Sequence, residues 1–378
     1  MASQLDLSRR QPLLPLGSDF AVRFYDAAKL DRYKDAVLSV LERTGVRFGS
    51  PKALDVLAQH GADVDRASGV VRFAPDLVTA ALAKAPRTFW LGSRDGTLDL
   101  DLASGDTDNT TNGCGTEVVD WNTGVRRPPT KDDLAAITRM VDYLGSVQFW
   151  WPNVAAADKG DTHTLHELDA AWNNTAKHLQ GMVQGEREAR FAVEMATVVA
   201  GGAEQLRRRP PMSNLIGTVQ PLVNDKDGIE AALVFAEAGI PVCFVTMPTY
   251  GTTAPATKAG AYVMGFAELV SATVCVQLAH PGLLLVGQAR GHRPRRYEDH
   301  RQMTEAQRPN QEAGDDLVAD AEQQRALEHA VAQTHGRGHR DSVAAEQREL
   351  HRELALRDAI AHRGHAAGHL SGRTLLAR

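Results

Sequence analysis

An alternation that begins near residue 146 constrains this sequence most. Residues 146–152 read as a strand, 164–175 as a helix and 178–184 as a strand. Residues 186–199 read as a helix, 212–219 as a strand and 225–238 as a helix. Residues 241–247 then give a strand, 256–278 a helix and 282–286 a strand. Strands that alternate with helices imply parallel βαβ units, because a parallel pair needs a long crossover between its strands. A closed barrel and an open doubly wound sheet both satisfy this pattern. No GxGxxG follows any of the strands, so the main dinucleotide-binding signature is missing. The expected fold is α/β: an incomplete TIM-type (β/α) barrel over residues 105–287.

The segment before it reads differently. Residues 31–86 give short helices separated by turns. LDRYKDAVLSVLERTG is a helix ended by Gly45, and Ser50-Pro51 starts another, with serine as cap and proline in the first turn. Ala74-Pro75 opens a third, which runs through Ala83. Residues 1–104 are therefore expected to form a helical N-terminal module. Residues 108–127 read as hairpin material with a turn at Asn122-Thr123-Gly124. Thr130 and Asp133 form a capping box for the helix that follows.

The segment after it breaks the pattern. Residues 289–378 hold 15 arginines and nine of the 14 histidines, with no Lys, Phe or Trp, and Tyr297 is their only aromatic. Such a segment has few large side chains with which to build a core. Residues 288–378 are thus a divergent tail, with two competing explanations. One is a solvated helical tail, since EQRELHRELALRDAIAH has helical character. The other is a shift of reading frame near Gln288, because a GC-rich gene read out of frame yields Arg, Ala, His, Gly and Gln.

Composition excludes some functions. A formal net charge of −5 disfavours nucleic acid as the main partner. Cys114, Cys243 and Cys275 are scattered, with no CxxC pair, so the expected setting is the reducing cytoplasm. The start of the chain lacks the apolar core of a signal peptide. The most apolar stretch, 259–287, is broken by Glu268, His280 and Pro281 and reads as helix, turn and strand, with no membrane span. A homo-oligomer remains open.

The stretch TMPTYGTTAPATKAG, residues 246–260, ends a buried apolar run and precedes a long helix. In a parallel α/β fold the loop after a strand's C-terminal end faces the active-site side. Glycine lets backbone approach a ligand, and hydroxyls orient polar groups without adding charge. Thr246, Tyr250, Gly251 and Thr253 are candidate pocket residues on this ground. The same loop could cradle a phosphate at the next helix N-terminus, which keeps a phosphate-binding lyase or isomerase as an alternative. Trp150 and Trp151 end an earlier strand and are candidate contacts for a quaternary ammonium by cation–π attraction. At least one of two adjacent strand residues must point away from the interior. Gln220, after another strand, could hydrogen-bond a ligand. His163 and His166 share a helix face, but no third ligand at suitable spacing follows, so no metal site is expected. No catalytic residue is identified.

Taken together, several stretches resemble the trimethylamine methyltransferase family of corrinoid-dependent methyltransferases. They are AVLSVLERTGVRFGSPKALDVLAQHGADVD with GVVRFAPDLVTAALAKAP, then TGVRRPPTKDDLAAITRMVDYL, HELDAAWNNTAKH and GTTAPATKAGAYVMGFAELVSATVCVQLAHPG. The resemblance runs from about residue 30 to 287. It implies a TIM-type barrel and transfer of a methyl group from a methylated amine to the reduced cobalt of a corrinoid (cobalamin) carried by a separate partner protein. No cofactor would then be bound directly. Some members use pyrrolysine and act on trimethylamine; others lack it and act on quaternary amines such as glycine betaine. Pyrrolysine, where present, lies in the C-terminal part of the barrel, and this chain shows no family-like sequence there. A non-catalytic remnant is the remaining alternative.

Overall fold

A computed structural model describes residues 12–15 and 25–286, apart from 87–89, 103, 105, 114, 121 and 284. The described residues all belong to one compact unit. The 1–104 and 105–287 segments thus share one unit, and both readings of the tail lie outside the described residues.

The first helix, α1 (Ala27–Arg43), buries Val37 and Leu41, one turn apart on one face. Gly45 ends it at φ +80°, where a Cβ would stand 2.5 Å from the Val71 carbonyl oxygen, so the turn requires glycine. Then come β1 (Val46–Phe48), α2 (Pro51–Gln59), β2 (Asp63–Asp65), β3 (Val70–Arg72) and α3 (Pro75–Ala83). Ser50 caps α2 by accepting the Ala53 N–H at 3.3 Å, as its sequence implies. The module is not purely helical, because β1 and β2 both pair antiparallel with β3. Strands of three residues are too short for a period-two pattern to register.

Two hairpins follow, β4 (Trp90–Leu91) with β5 (Leu100–Asp101) and β6 (Val118–Val119) with β7 (Arg126–Arg127). The second turns at the expected Asn-Thr-Gly, where Gly124 has φ +69°. The capping box forms at the start of α4 (Lys131–Tyr143): Thr130 Oγ1 accepts the Asp133 N–H at 3.3 Å and Asp133 accepts the Thr130 N–H at 2.9 Å. The Arg127 guanidinium pairs with both Asp133 oxygens and, as the largest influence, holds that carboxyl well below its ordinary range.

The alternation then proceeds as expected. A 3-10 turn (Ala157–Thr162) leads into α5 (His163–Asn174), β8 (Leu179–Gly181), α6 (Glu186–Ala200), α7 (Ala203–Arg208) and β9 (Met212–Gly217). Next come β10 (Val223–Asn224), α8 (Lys226–Ala238), β11 (Val242–Val245), α9 (Lys258–Ala279) and β12 (Leu285–Val286). Strands β8, β9, β11 and β12 lie side by side, all parallel. Two further segments extend the sheet in chain order: Trp150 bridges to Leu179 and Thr110 to Phe149, both parallel. The result is an arc of six adjacent parallel segments. Among the described residues this arc does not close, so the barrel itself remains an expectation.

Strand β10 and helix α9 both join the arc to the first strands and helices of the N-terminal module. Strand β10 pairs parallel with β1. Helix α9 packs against α1, α2, α3 and α8. That contact explains its composition. Among the described residues it is the one helix long and apolar enough to cross a membrane, but residues on nearly all its sides are buried in the protein, as in a core helix.

Candidate active site

Alternation along each strand decides which side chains enter the interior of the arc. A Cβ built on Gly181 would meet Asn214, Met212 and the α5 residue Leu168 at 3.1–3.3 Å, so that register faces the helices. Leu179, Met212, Ile216, Val242 and Phe244 share it and belong to the main apolar core. The opposite register holds His178, Gln180, Ser213, Leu215 and Cys243. Along residues 150–156 the even positions are buried and the odd ones half-buried, so Trp151 and Asn153 face inward.

The N-terminal end of the arc is plugged. His178 is fully buried; its Nδ1 donates to the Gly92 carbonyl at 2.9 Å and its Nε2 meets Ser213 Oγ at 3.0 Å. A carbonyl can only accept, so Nδ1 carries the proton and Ser213 donates to Nε2. Burial pushes the His178 pKa down to about 4. Arg209 pairs with Asp99 at 2.9 Å and donates to the Ser93 carbonyl at 2.7 Å, which fixes the β4–β5 hairpin beneath β9. Lys177 is also fully buried, and its ammonium donates to the carbonyls of Val141, Leu144 and Val147 at 2.6, 2.7 and 2.6 Å. It thereby satisfies backbone acceptors at the end of α4.

The C-terminal ends of the strands are organised around Glu268 of α9, whose side chain is fully buried. Its Oε2 accepts from Thr218 Oγ1 at 2.6 Å, Thr246 Oγ1 at 2.7 Å and Gln220 Nε2 at 3.3 Å. Its Oε1 accepts the Leu222 N–H at 2.8 Å. One carboxylate thus ties the ends of β9 and β11 to the helix behind them. It also holds Leu222, a non-glycine residue at φ +55°, a conformation that costs on the order of 1 kcal/mol.

This arrangement places the residues expected from sequence in three groups. Gln220 and Thr246 meet at 3.0 Å, but on the helix side of the sheet, as Glu268's partners. Tyr250, Gly251 and Thr253 share a self-contained exposed turn in which the N–H groups of Gly251, Thr252, Thr253 and Ala254 donate to loop carbonyls. Thr253 Oγ1 accepts the Thr249 N–H at 3.0 Å, and Gly251 supplies φ +73°. Those loop amides are occupied, so the turn itself offers a phosphate no free N–H among residues 251–254. The third group is the tryptophan pair, and it divides. Trp150 is fully buried toward the helices, where its Nε1 donates to Thr138 Oγ1 of α4 at 3.0 Å. It is therefore a packing residue, and its reading as a cation contact is corrected. Trp151 faces inward, with its ring laid against Gly113, where a Cβ would come within 2.5 Å.

Sequence reasoning passed over Gln180, Asn153 and the hub role of Glu268. The last had a signal: a lone acid in a 22-residue apolar helix needs partners. Elsewhere, Tyr250 and Tyr262 hydrogen-bond at the rim, which raises the Tyr250 pKa. His163 Nδ1 lies 2.8 Å from Glu167, and His166 Nδ1 lies 3.2 Å from Lys131. Among the described residues no group of three or more His, Cys, Asp or Glu could hold a metal.

These features define the class: a parallel α/β protein with a plugged N-terminal end and a candidate site at the strand C-termini. The profile of the trimethylamine methyltransferase (MTTB) family matches residues 12–287, and the chain belongs to that family. It is 32% identical over 264 residues to trimethylamine methyltransferase MttB of Desulfitobacterium hafniense, covering 70% of this chain and 53% of the relative. It is 28% identical over 254 residues to MttB2 of Methanosarcina mazei, covering 65% and 51%. It is 25% identical over 257 residues to the glycine betaine methyltransferase of D. hafniense, covering 67% and 53%. The chain spans about half the length of the curated relatives it matches.

Proposed function

We propose that this chain provides the amine-binding part of a methyltransferase that moves a methyl group from a methylated or quaternary amine to a corrinoid protein. One observation carries the reading within the family: Trp151 presents an aromatic ring to the interior of the arc beside uncharged polar side chains. An aromatic face attracts a desolvated quaternary ammonium by about 2 kcal/mol. Loss of a methyl group from such a nitrogen leaves a neutral amine, so the leaving group needs no acid. The protein's task is to hold the cation and aim one methyl outward, which is positioning.

The residues take different parts in this reading. Trp151 contacts the cation and Tyr250 stands at the rim. Gln220, Thr246 and Glu268 hold the strand ends in place, while Gly251 and Thr253 shape the loop over them. The cobalt of the partner's corrinoid supplies the nucleophile when it is present. The exposed Val219, Met247 and Tyr250 beside the strand ends suit contact with another protein surface. A barrel completed beyond the described arc and a cytoplasmic setting belong to the same proposal.

Thermal unfolding of the full chain, followed by circular dichroism, tests it. A ligand that binds only the folded state stabilises it by about 2.7 kcal/mol at a hundred times its dissociation constant. A midpoint that rises with millimolar glycine betaine, trimethylamine or tetramethylammonium supports the reading. A transition blind to every methylated amine refutes it and favours a non-catalytic family remnant.

A further inference from the structure

The two adjacent tryptophans are fixed by different means. Trp150 is held by its own hydrogen bond, Nε1 to Thr138 Oγ1 at 3.0 Å. Trp151 Nε1 has no partner among the described residues, so no hydrogen bond of its ring sets the orientation of that ring. What fixes it lies on the neighbouring segment, which meets the Trp151 strand at the Thr110–Phe149 and Gly115–Val154 bridges. Between those bridges a side chain ties the two strands together. Thr111 Oγ1 accepts the Trp151 N–H at 3.1 Å and donates to the Trp151 carbonyl at 2.5 Å. One hydroxyl thus engages both backbone groups of the tryptophan, and Thr111 is itself buried.

Gly113 supplies the second constraint, two residues further along the same segment. A Cβ there would stand 2.5–2.6 Å from Cδ2, Cε2 and Cζ2 of the Trp151 ring, far inside contact distance. The indole therefore occupies the place of the missing side chain. Gly113 is not among the glycines with positive φ, so space, and not backbone conformation, requires glycine here. A methyl group at this position has no room unless the ring or the segment moves, and close-packed surroundings resist both.

We propose that Thr111 and Gly113 are positioning residues for Trp151: the hydroxyl clamps its backbone, and the glycine leaves the seat in which its ring lies. The inference rests on the amine reading above, in which Trp151 meets the cation, and adds which residues decide where that ring stands. Cation–π attraction requires the cation over the ring face, within about 6 Å of the ring centroid, so a displaced ring forfeits part of it. Neither Thr111 nor Gly113 touches the cation in this reading; each acts through Trp151.

Calorimetric titration of the full chain with tetramethylammonium, together with near-ultraviolet circular dichroism, tests this. The parent spectrum minus that of Trp151→Phe gives the signature of this one indole. Gly113→Ala should alter that signature and weaken tetramethylammonium binding about tenfold. In the Trp151→Phe background, whose smaller ring leaves room for a methyl group, the same change should weaken binding less than about twofold. Thr111→Val should act in the same direction as Gly113→Ala, whereas Thr111→Ser, which keeps the hydroxyl, should retain the parent spectrum and affinity. An equal loss in both backgrounds makes Gly113 a structural residue only and overturns the seat, as does a Gly113→Ala chain with the parent's signature and affinity. Thr111→Ser behaving like Thr111→Val overturns the clamp. If Gly113→Ala does not fold alone, folding of the double variant supports the seat and failure of both overturns it. If the parent binds no tetramethylammonium, the amine reading fails and the spectra decide the seat and the clamp by themselves.

Discussion

The two ends of the parallel arc solve opposite problems with the same kinds of residue. At the N-terminal end His178, Lys177 and Arg209 are each matched to carbonyl, hydroxyl or carboxylate partners. At the C-terminal end Glu268 is matched with equal care, whereas on the inner face Trp151 Nε1 and Asn153 Oδ1 are buried without a partner among the described residues, as is Trp172 Nε1 of α5. The plugged end spends its polar chemistry on stability. The open end uses Glu268 to fix its walls and leaves its interior unsatisfied. A protein core tolerates such unmatched groups only where some other gain offsets their cost of about 1–3 kcal/mol each.

The contrast can be broken most severely at Lys177. Lys177→Met deprives three backbone carbonyls of their charged donor and should cost about 3–5 kcal/mol in urea unfolding. A loss under about 1 kcal/mol would mean that the plug is not what holds this end together. Next in size is pH. Burial lowers the folded pKa of His178 to about 4 from an ordinary value near 6.5, so its neutral form is favoured by folding. Its contribution is fully present above pH 6.5 and is lost as pH falls toward 4, a total of roughly 3 kcal/mol. Unfolding followed between those limits should show that slope, and His178→Gln should flatten it.

At the open end Glu268→Gln should cost about 2 kcal/mol, because one carboxylate serves four donors and a carboxamide cannot. If the hub fixes the walls of the site, the same variant also weakens amine binding; unchanged affinity would confine Glu268 to a structural role. The smallest effect sharpens the comparison most. Trp150→Phe loses a made hydrogen bond to Thr138 and should cost about 1 kcal/mol or more. Trp151→Phe loses an unmade one and should cost less than its neighbour. Equal costs for the two would remove the distinction on which the interior site rests.

Much of the fold was legible because its signals are local. The Ser50 cap, the Thr130–Asp133 box and the turn at Gly124 each depend on residues within four positions of one another. The short strands β1, β2 and β3 were not legible, since they exist only as partners in a sheet that also recruits β10 from nearly two hundred residues away. The candidate site was legible in its neighbourhood and not in its members. The loops after β9 and β11 were identified, but Gln220 and Thr246 turned out to face Glu268 across the outer side of the sheet.

The sequence by itself determined the parallel alternation, the helix caps, the composition break after residue 287 and the family. These follow from periodicity, local hydrogen bonding and the order of segments along the chain. Only the tertiary structure decided which of Trp150 and Trp151 enters the interior, which partners Glu268 gathers, and that Asn153 Oδ1 stands unpaired near Trp151. The reason is parity. Side chains on a strand alternate between two faces, and a shift of one residue exchanges the sets. Which face meets the helices is set by packing across the whole sheet.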